Sequence, residues 1–257
     1  MAESGTRPDE PERFPRQGNM SSKQDLIQWE NTSVETCTIL GWLGYGQEII
    51  QARRDAYREY GKLLTARLCG EATYIIAGSK GEGLSSYLES DVDTMVVNNR
   101  VLCLENDVNS SAFPGEITVL RSLSRRSYHG HCRLLLERRG TTILRQVNDA
   151  FCDDGYGREL LSSELYVNNW SNVDLTEGEV LHERAGPSIP STVGGIYHMD
   201  CVHALRYNCP NILSKWAARP RHWPPPEVVQ RVVSLGAFLT PVGFKGSEYQ
   251  HVEWSVF

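Results

Sequence analysis

Two carboxylates separated by one apolar residue open the case for chemistry: Asp91 and Asp93 flank Val92 in the run Glu89-Ser90-Asp91-Val92-Asp93-Thr94-Met95. On a strand, residues i and i+2 point to the same face, so the two acids converge while Val92 points the other way. Like charges held together call for a cation. Mg2+ or Mn2+ suits them, because a hard divalent ion takes oxygen ligands and bridges carboxylates to phosphates. In a two-metal site one ion activates an acceptor hydroxyl and the other stabilises a departing pyrophosphate. Gly78-Ser79-Lys80 precedes this run and follows a predicted strand. Glycine lets backbone come close to a triphosphate, and exposed N–H groups with a serine hydroxyl can cradle its oxygens, so Gly78 and Ser79 are the candidate nucleotide-binding residues.

These residues need strands to hold them. The β-branched and aromatic run 73–77 ends at Gly78 and predicts a short buried strand. Residues 91–104 favour strand again, with Asn98-Asn99 as the expected hairpin turn. Residues 117–123 and 132–137 resemble a second strand pair, 196–205 another strand, and 238–242 a last one. The segment 186–195, with Pro187, Pro190 and its glycines, reads as a loop. Apolar residues recur at helical spacing over 34–68, but Gly41, Gly44 and Gly46 interrupt them, which predicts helices at 34–43 and 47–68. Trp223-Pro224-Pro225-Pro226 opens a further helix that Gly236 caps, with Val228, Val229, Val232, Val233 and the tryptophans at 216 and 223 expected to pack in the core. An α+β protein with an antiparallel or mixed sheet follows.

At 257 residues, 40% hydrophobic and 23% charged, the chain has the composition of an ordinary globular protein. No stretch approaches the roughly 18 consecutive apolar residues that cross a bilayer. The N-terminus has acids and prolines but no apolar run of a signal peptide, so the expectation is a disordered leader over 1–32, no membrane, and a cytoplasmic or nuclear address. Seven scattered cysteines without a Cys-x-x-Cys pair read as reduced thiols. The net charge of −6 argues against indiscriminate coating of nucleic acid.

Taken together, Gly78-Ser79 followed by Asp91-Val92-Asp93 resembles the signature of polymerase β-type nucleotidyltransferases, specifically cyclic GMP-AMP synthase-like and Mab-twenty-one proteins. Gly81-Glu82-Gly83-Leu84, Leu213-Ser214-Lys215-Trp216, Trp223-Pro224, Leu239-Thr240-Pro241-Val242-Gly243 and Glu253-Trp254 follow in the family's order. The resemblance covers about 34–257 and implies a nucleotidyltransferase core: a mixed β-sheet flanked by helices, with a long N-terminal support helix. It implies a domain over 33–257 without the family's helical C-terminal lobe. By the same resemblance the protein joins ATP and GTP into a cyclic or linear nucleotide second messenger in innate immunity, on sensing double-stranded RNA or DNA. The family has a third acid on a neighbouring strand. Asp200 is its best match and Asp174 the rival, which gives Asp91, Asp93 and Asp200 as the catalytic and metal-binding set. Where the family has arginine after the Glu-Trp block, this chain has Ser255. That departure leaves a second expectation, a catalytically silent Mab-twenty-one-like scaffold or an incomplete gene product.

Two other groups are weighed. Arg54, Arg58 and Lys62 recur at i+4, but Asp55 and Glu59 lie one step round, which favours a solvated, salt-bridged face. His129, His131, Cys132, Cys201, His203 and Cys209 are zinc-type donors without zinc-finger spacing, so surface histidines and buried thiols are expected.

Overall fold

A computed structural model describes residues 23–124, 127–171, 177–184 and 186–257 of the chain. Asp174 and residues 1–22 of the expected leader lie outside the described residues. The chain divides into two compact units, 1–47 and 48–257.

The first unit contains helix α1 (Lys23–Leu40) and a π-helical turn (Gly41–Tyr45). Helix thus begins at Lys23, inside the segment expected as leader and before the expected start at 34. Gly44, at φ 84°, is a conformation that glycine adopts without steric cost, and it interrupts the helical run where the glycine cluster predicted.

The second unit is built on eleven strands among the described residues. Helix α2 (Gln47–Arg67) leads into edge strand β1 (Ala72–Ile76) and packs on it at Gly61, where an added Cβ would stand 3.3 Å from the Tyr74 carbonyl oxygen. The Thr65 hydroxyl accepts the Tyr74 N–H at 2.9 Å, satisfying a donor that an edge strand otherwise leaves open. After the short helix α3 (Gly78–Gly81) come β2 (Val92–Leu104), β3 (Thr118–Leu123), β4 (His131–Arg138), α4 (Arg145–Asn148), β5 (Phe151–Asp153), β6 (Glu159–Leu161) and α5 (Ser163–Ser171). Then follow β7 (Glu179–Leu181), β8 (Ser188–Val193), β9 (Tyr197–Asn208), α6 (Pro210–Ala217), α7 (Pro226–Leu235), β10 (Ala237–Thr240) and β11 (Glu253–Val256).

The sheet is mixed. Its pairing path runs β1-β2-β3-β4-β11-β10-β9-β8-β7, and β9 also pairs directly with β2. The path β2-β3-β4-β11-β10-β9 therefore returns to β2. All six of those strands contribute to one core, with Cys103, Leu120, Leu134, Trp254, Leu239 and Tyr207 among its members and Tyr166 of α5 joining them. Burying that apolar surface is the main stabilising term.

Three local expectations are corrected. Asn98-Asn99 is no hairpin turn: β2 runs straight through it, with a register shift against β9 between Asn98 and Leu102. Asn98 Oδ1 accepts the Arg100 N–H at 2.8 Å, the local bond that makes asparagine a turn former, yet the buried Val96, Val97 and Val101 on either side hold the chain extended. Segment 186–195 is not a loop but contains β8, because only Gly194 and Gly195, both at positive φ, make the turn into β9. In α7 only Val229 is buried, while Val228, Val232 and Trp223 are exposed.

Candidate metal site

Asp91 immediately precedes β2 and Asp93 lies within it. Asp200 lies on β9, which pairs with β2 in parallel so that Asp93 stands directly opposite Asp200. Alternation along both strands turns the three side chains to one face. One carboxylate oxygen from each lies within 4.8 Å of the other two, the only such grouping of three or more metal-type ligands among the described residues. Three oxygens and no nitrogen or sulfur make a donor set for a hard divalent ion rather than for a structural zinc. The site is accessible: Asp91 is exposed and the other two are half-buried.

Gly78 is placed against these acids by β1. The Ala77 N–H donates to the Asp93 carbonyl at 2.8 Å, and Gly78 follows at φ 58°. An added Cβ there would sit 1.9 Å from Asp93 Oδ2. The sequence suggested glycine for the approach of a triphosphate; in the fold its first effect is to clear room for an acid. Ser79 faces the segment leading into the acids, where the hydroxyls of Ser79, Ser85 and Ser90 lie 2.9 to 3.0 Å apart in a triangle.

Lys80, next in sequence, is fully buried. Its ammonium donates to the Ser86 carbonyl and, at 2.9 Å, to the Tyr87 carbonyl, pinning the segment that delivers Ser90 and Asp91. Burial draws the Lys80 pKa down, against Glu89 and Asp91, whose charges raise it. Asp93 shows the opposite frustration. Burial first, then the charges of Asp91 and Asp200, raise its pKa above the ordinary aspartate value. A cation among the three would reverse the sign of that field.

A cavity of about 430 Å3 adjoins Asp91 and Asp200. His182 and His198 line it, and neither was assigned a role from sequence, although His198 lies two residues before Asp200 on the same strand face. His182 Nε2 is 2.6 Å from the Thr192 hydroxyl, which is 2.9 Å from His198 Nδ1. Lys80, Ser85 and Ser90 were likewise missed as supports. Glu89 accepts the Ser86 N–H in the same segment.

The remaining candidates do not join this site. Arg58 pairs with Asp55 and Lys62 with Glu59, at 2.8 Å for the latter, on a solvated face. All seven cysteines are free. Cys201 Sγ and His203 Nε2 are 3.8 Å apart, with no third metal-type ligand grouped with them among the described residues. His203 is not a surface histidine: it stacks on Trp170 at 4.1 Å, and burial pushes its pKa down to about 4. No helix among the described residues is long and apolar enough to cross a membrane. No protein-family model matches the chain, and no curated protein matches it.

Proposed function

We propose that this protein is a metal-dependent nucleotidyltransferase of the cyclic GMP-AMP synthase-like type, using Mg2+ or Mn2+. One observation carries the reading: Asp91, Asp93 and Asp200 come from two adjacent parallel strands to within 4.8 Å of one another, with Gly78 packed against the middle acid. Asp91, Asp93 and Asp200 would hold the metal, whose charge would offset that of the phosphates of a nucleoside triphosphate lying towards Gly78 and Ser79. An acceptor hydroxyl attacks the α-phosphorus, a new P–O bond forms, the bond to the bridging oxygen breaks, and pyrophosphate leaves. Asp200 is the carboxylate assigned to the departing hydroxyl proton. ATP and GTP as substrates, a nucleotide second messenger as product and a double-stranded nucleic acid as activator are the family-based parts of the proposal.

Purified protein is incubated with labelled ATP and GTP, Mg2+ or Mn2+, and double-stranded RNA or DNA, and the products are separated by chromatography. The expected result is a metal-dependent product that the Asp91→Ala/Asp93→Ala variant does not make. Indistinguishable profiles from the two proteins under every activator would refute catalysis. The scaffold alternative rests on Ser255, which stands in β11 opposite His131 and Thr240 where the family has an arginine. It predicts no product from either protein.

A further inference from the structure

The acids have two flanks. On one, Gly78 contacts Asp93 at the end of β1. On the other lies the 430 Å3 cavity, which touches Asp91 and Asp200 but neither Asp93 nor Gly78. Transfer at phosphorus sets the attacking and leaving oxygens roughly in line, on opposite sides of the reacting atom. With a triphosphate on the Gly78 flank, the attacking group has to come from the other.

We propose that the histidine-lined cavity is where a hydroxyl-bearing nucleoside or nucleotide acceptor is held, and that His198, oriented by Thr192 and His182, is its positioning side chain. The inference rests on the nucleotidyltransferase reading. Extending the parallel register of β2 and β9 by one residue beyond Val92 and Met199 sets His198 level with Asp91. Thr192 is the Cα partner of His198 across β8 and β9, and it is buried. Its hydroxyl has a single proton but touches a ring nitrogen on each side, so it donates to one imidazole and accepts from the other. If both rings carry one N–H, the hydroxyl's choice fixes which ring keeps an N–H on its other nitrogen and which keeps a lone pair. A hydroxyl, itself donor and acceptor, satisfies His198 Nε2 in either state. The rings of Tyr87 and Tyr197, stacked 5.5 Å apart, border the same cavity.

The test uses the whole chain and two probes. Metal-free protein is titrated with adenosine and guanosine 5′-monophosphate, which bring hydroxyls and a base but no triphosphate. Separately, Mn2+-dependent binding of inorganic tripolyphosphate is measured. His198→Ala is expected to weaken monophosphate binding about tenfold, equivalent to ~1.4 kcal/mol, with tripolyphosphate binding unchanged. Thr192→Val weakens it in the same direction, and Thr192→Ser, which restores the hydroxyl, returns it to within about twofold of wild type. Asp93→Ala, at the acid the cavity does not touch, does the reverse, losing tripolyphosphate and keeping monophosphate. Monophosphate affinity unaltered by His198→Ala in a protein of unchanged melting temperature overturns the inference, as does wild-type protein that binds neither monophosphate. Loss of Mn2+-dependent tripolyphosphate binding by the wild type counts instead against the nucleotidyltransferase reading.

Discussion

Replacing Asp93 by asparagine should stabilise the metal-free protein at neutral pH while removing its response to metal. The substitution keeps the side-chain shape that fits beside Gly78 and removes one of three charges within 4.8 Å of one another. At about that separation each like-charge pair costs roughly 1–2 kcal/mol for an effective dielectric constant of about 40–80. Asp93 belongs to two such pairs; with solvent screening at this open site the net relief is about 1–2 kcal/mol. For a chain of this size, that raises Tm by roughly 2–8 °C. The pH dependence fixes the sign. The folded pKa of Asp93 is raised, so the native state binds its proton more tightly than the unfolded chain does. Stability from this group is therefore lost as pH rises through the raised pKa, and the penalty disappears below the ordinary aspartate value of about 3.9. The asparagine variant should melt higher than wild type at pH 7, and the gap should close on acidification towards pH ~4. Saturating Mn2+, at about 100 times its Kd, should stabilise wild type by about 2.7 kcal/mol and the variant hardly at all. Melting curves followed by fluorescence, with Mn2+ or with chelator, read all three effects. A variant that melts below wild type at pH 7 in chelator, or that keeps the full Mn2+ response, would show that the acids are not a frustrated cation site.

Other perturbations test the surroundings. Gly78→Ala places a Cβ 1.9 Å from Asp93 Oδ2 at φ 58°, so thermal melts should show a loss of about 1–2 kcal/mol and a blunted Mn2+ shift. His203, held down to about 4 by burial, contributes stability that is complete above the unfolded histidine value of about 6.5 and is lost as pH falls through that value towards 4, by about 3 kcal/mol. His203→Phe, which keeps a ring against Trp170, should flatten that acid limb in urea titrations run between those pH values. Trp254→Phe removes the 2.9 Å bond from Nε1 to the Leu161 carbonyl and opens space in a fully buried site. Urea denaturation should register a loss of about 2–3 kcal/mol.

Local rules carried much of this protein. Alternation alone put Asp91 and Asp93 on one face, a β-branched and aromatic run located β1, and alternating or continuous apolar runs located β3 and β4, because a strand's side-chain period depends on near neighbours in the chain. Proline and glycine placed α7 between Pro226 and Gly236 for the same reason. Where a local signal competed with burial, it misled. The asparagines at 98 and 99 favour a turn, but long-range pairing with Ala72 and Leu205 keeps β2 extended. The prolines and glycines of 186–195 masked β8, whose Pro190 is accommodated opposite Asp200. Tertiary structure alone decided what is non-local. Parallel pairing of β2 with β9 brought Asp200 to Asp93, and sequence spacing could not express it, because a long excursion of chain separates the two strands. Antiparallel pairing of β8 with β9 set Thr192 opposite His198, and pairing of β1 with β2 set Gly78 against Asp93. A carboxylate pair can be read from two letters of sequence; its third member and its neighbours depend on which strands hydrogen-bond side by side, and that is settled by burial of the core they share.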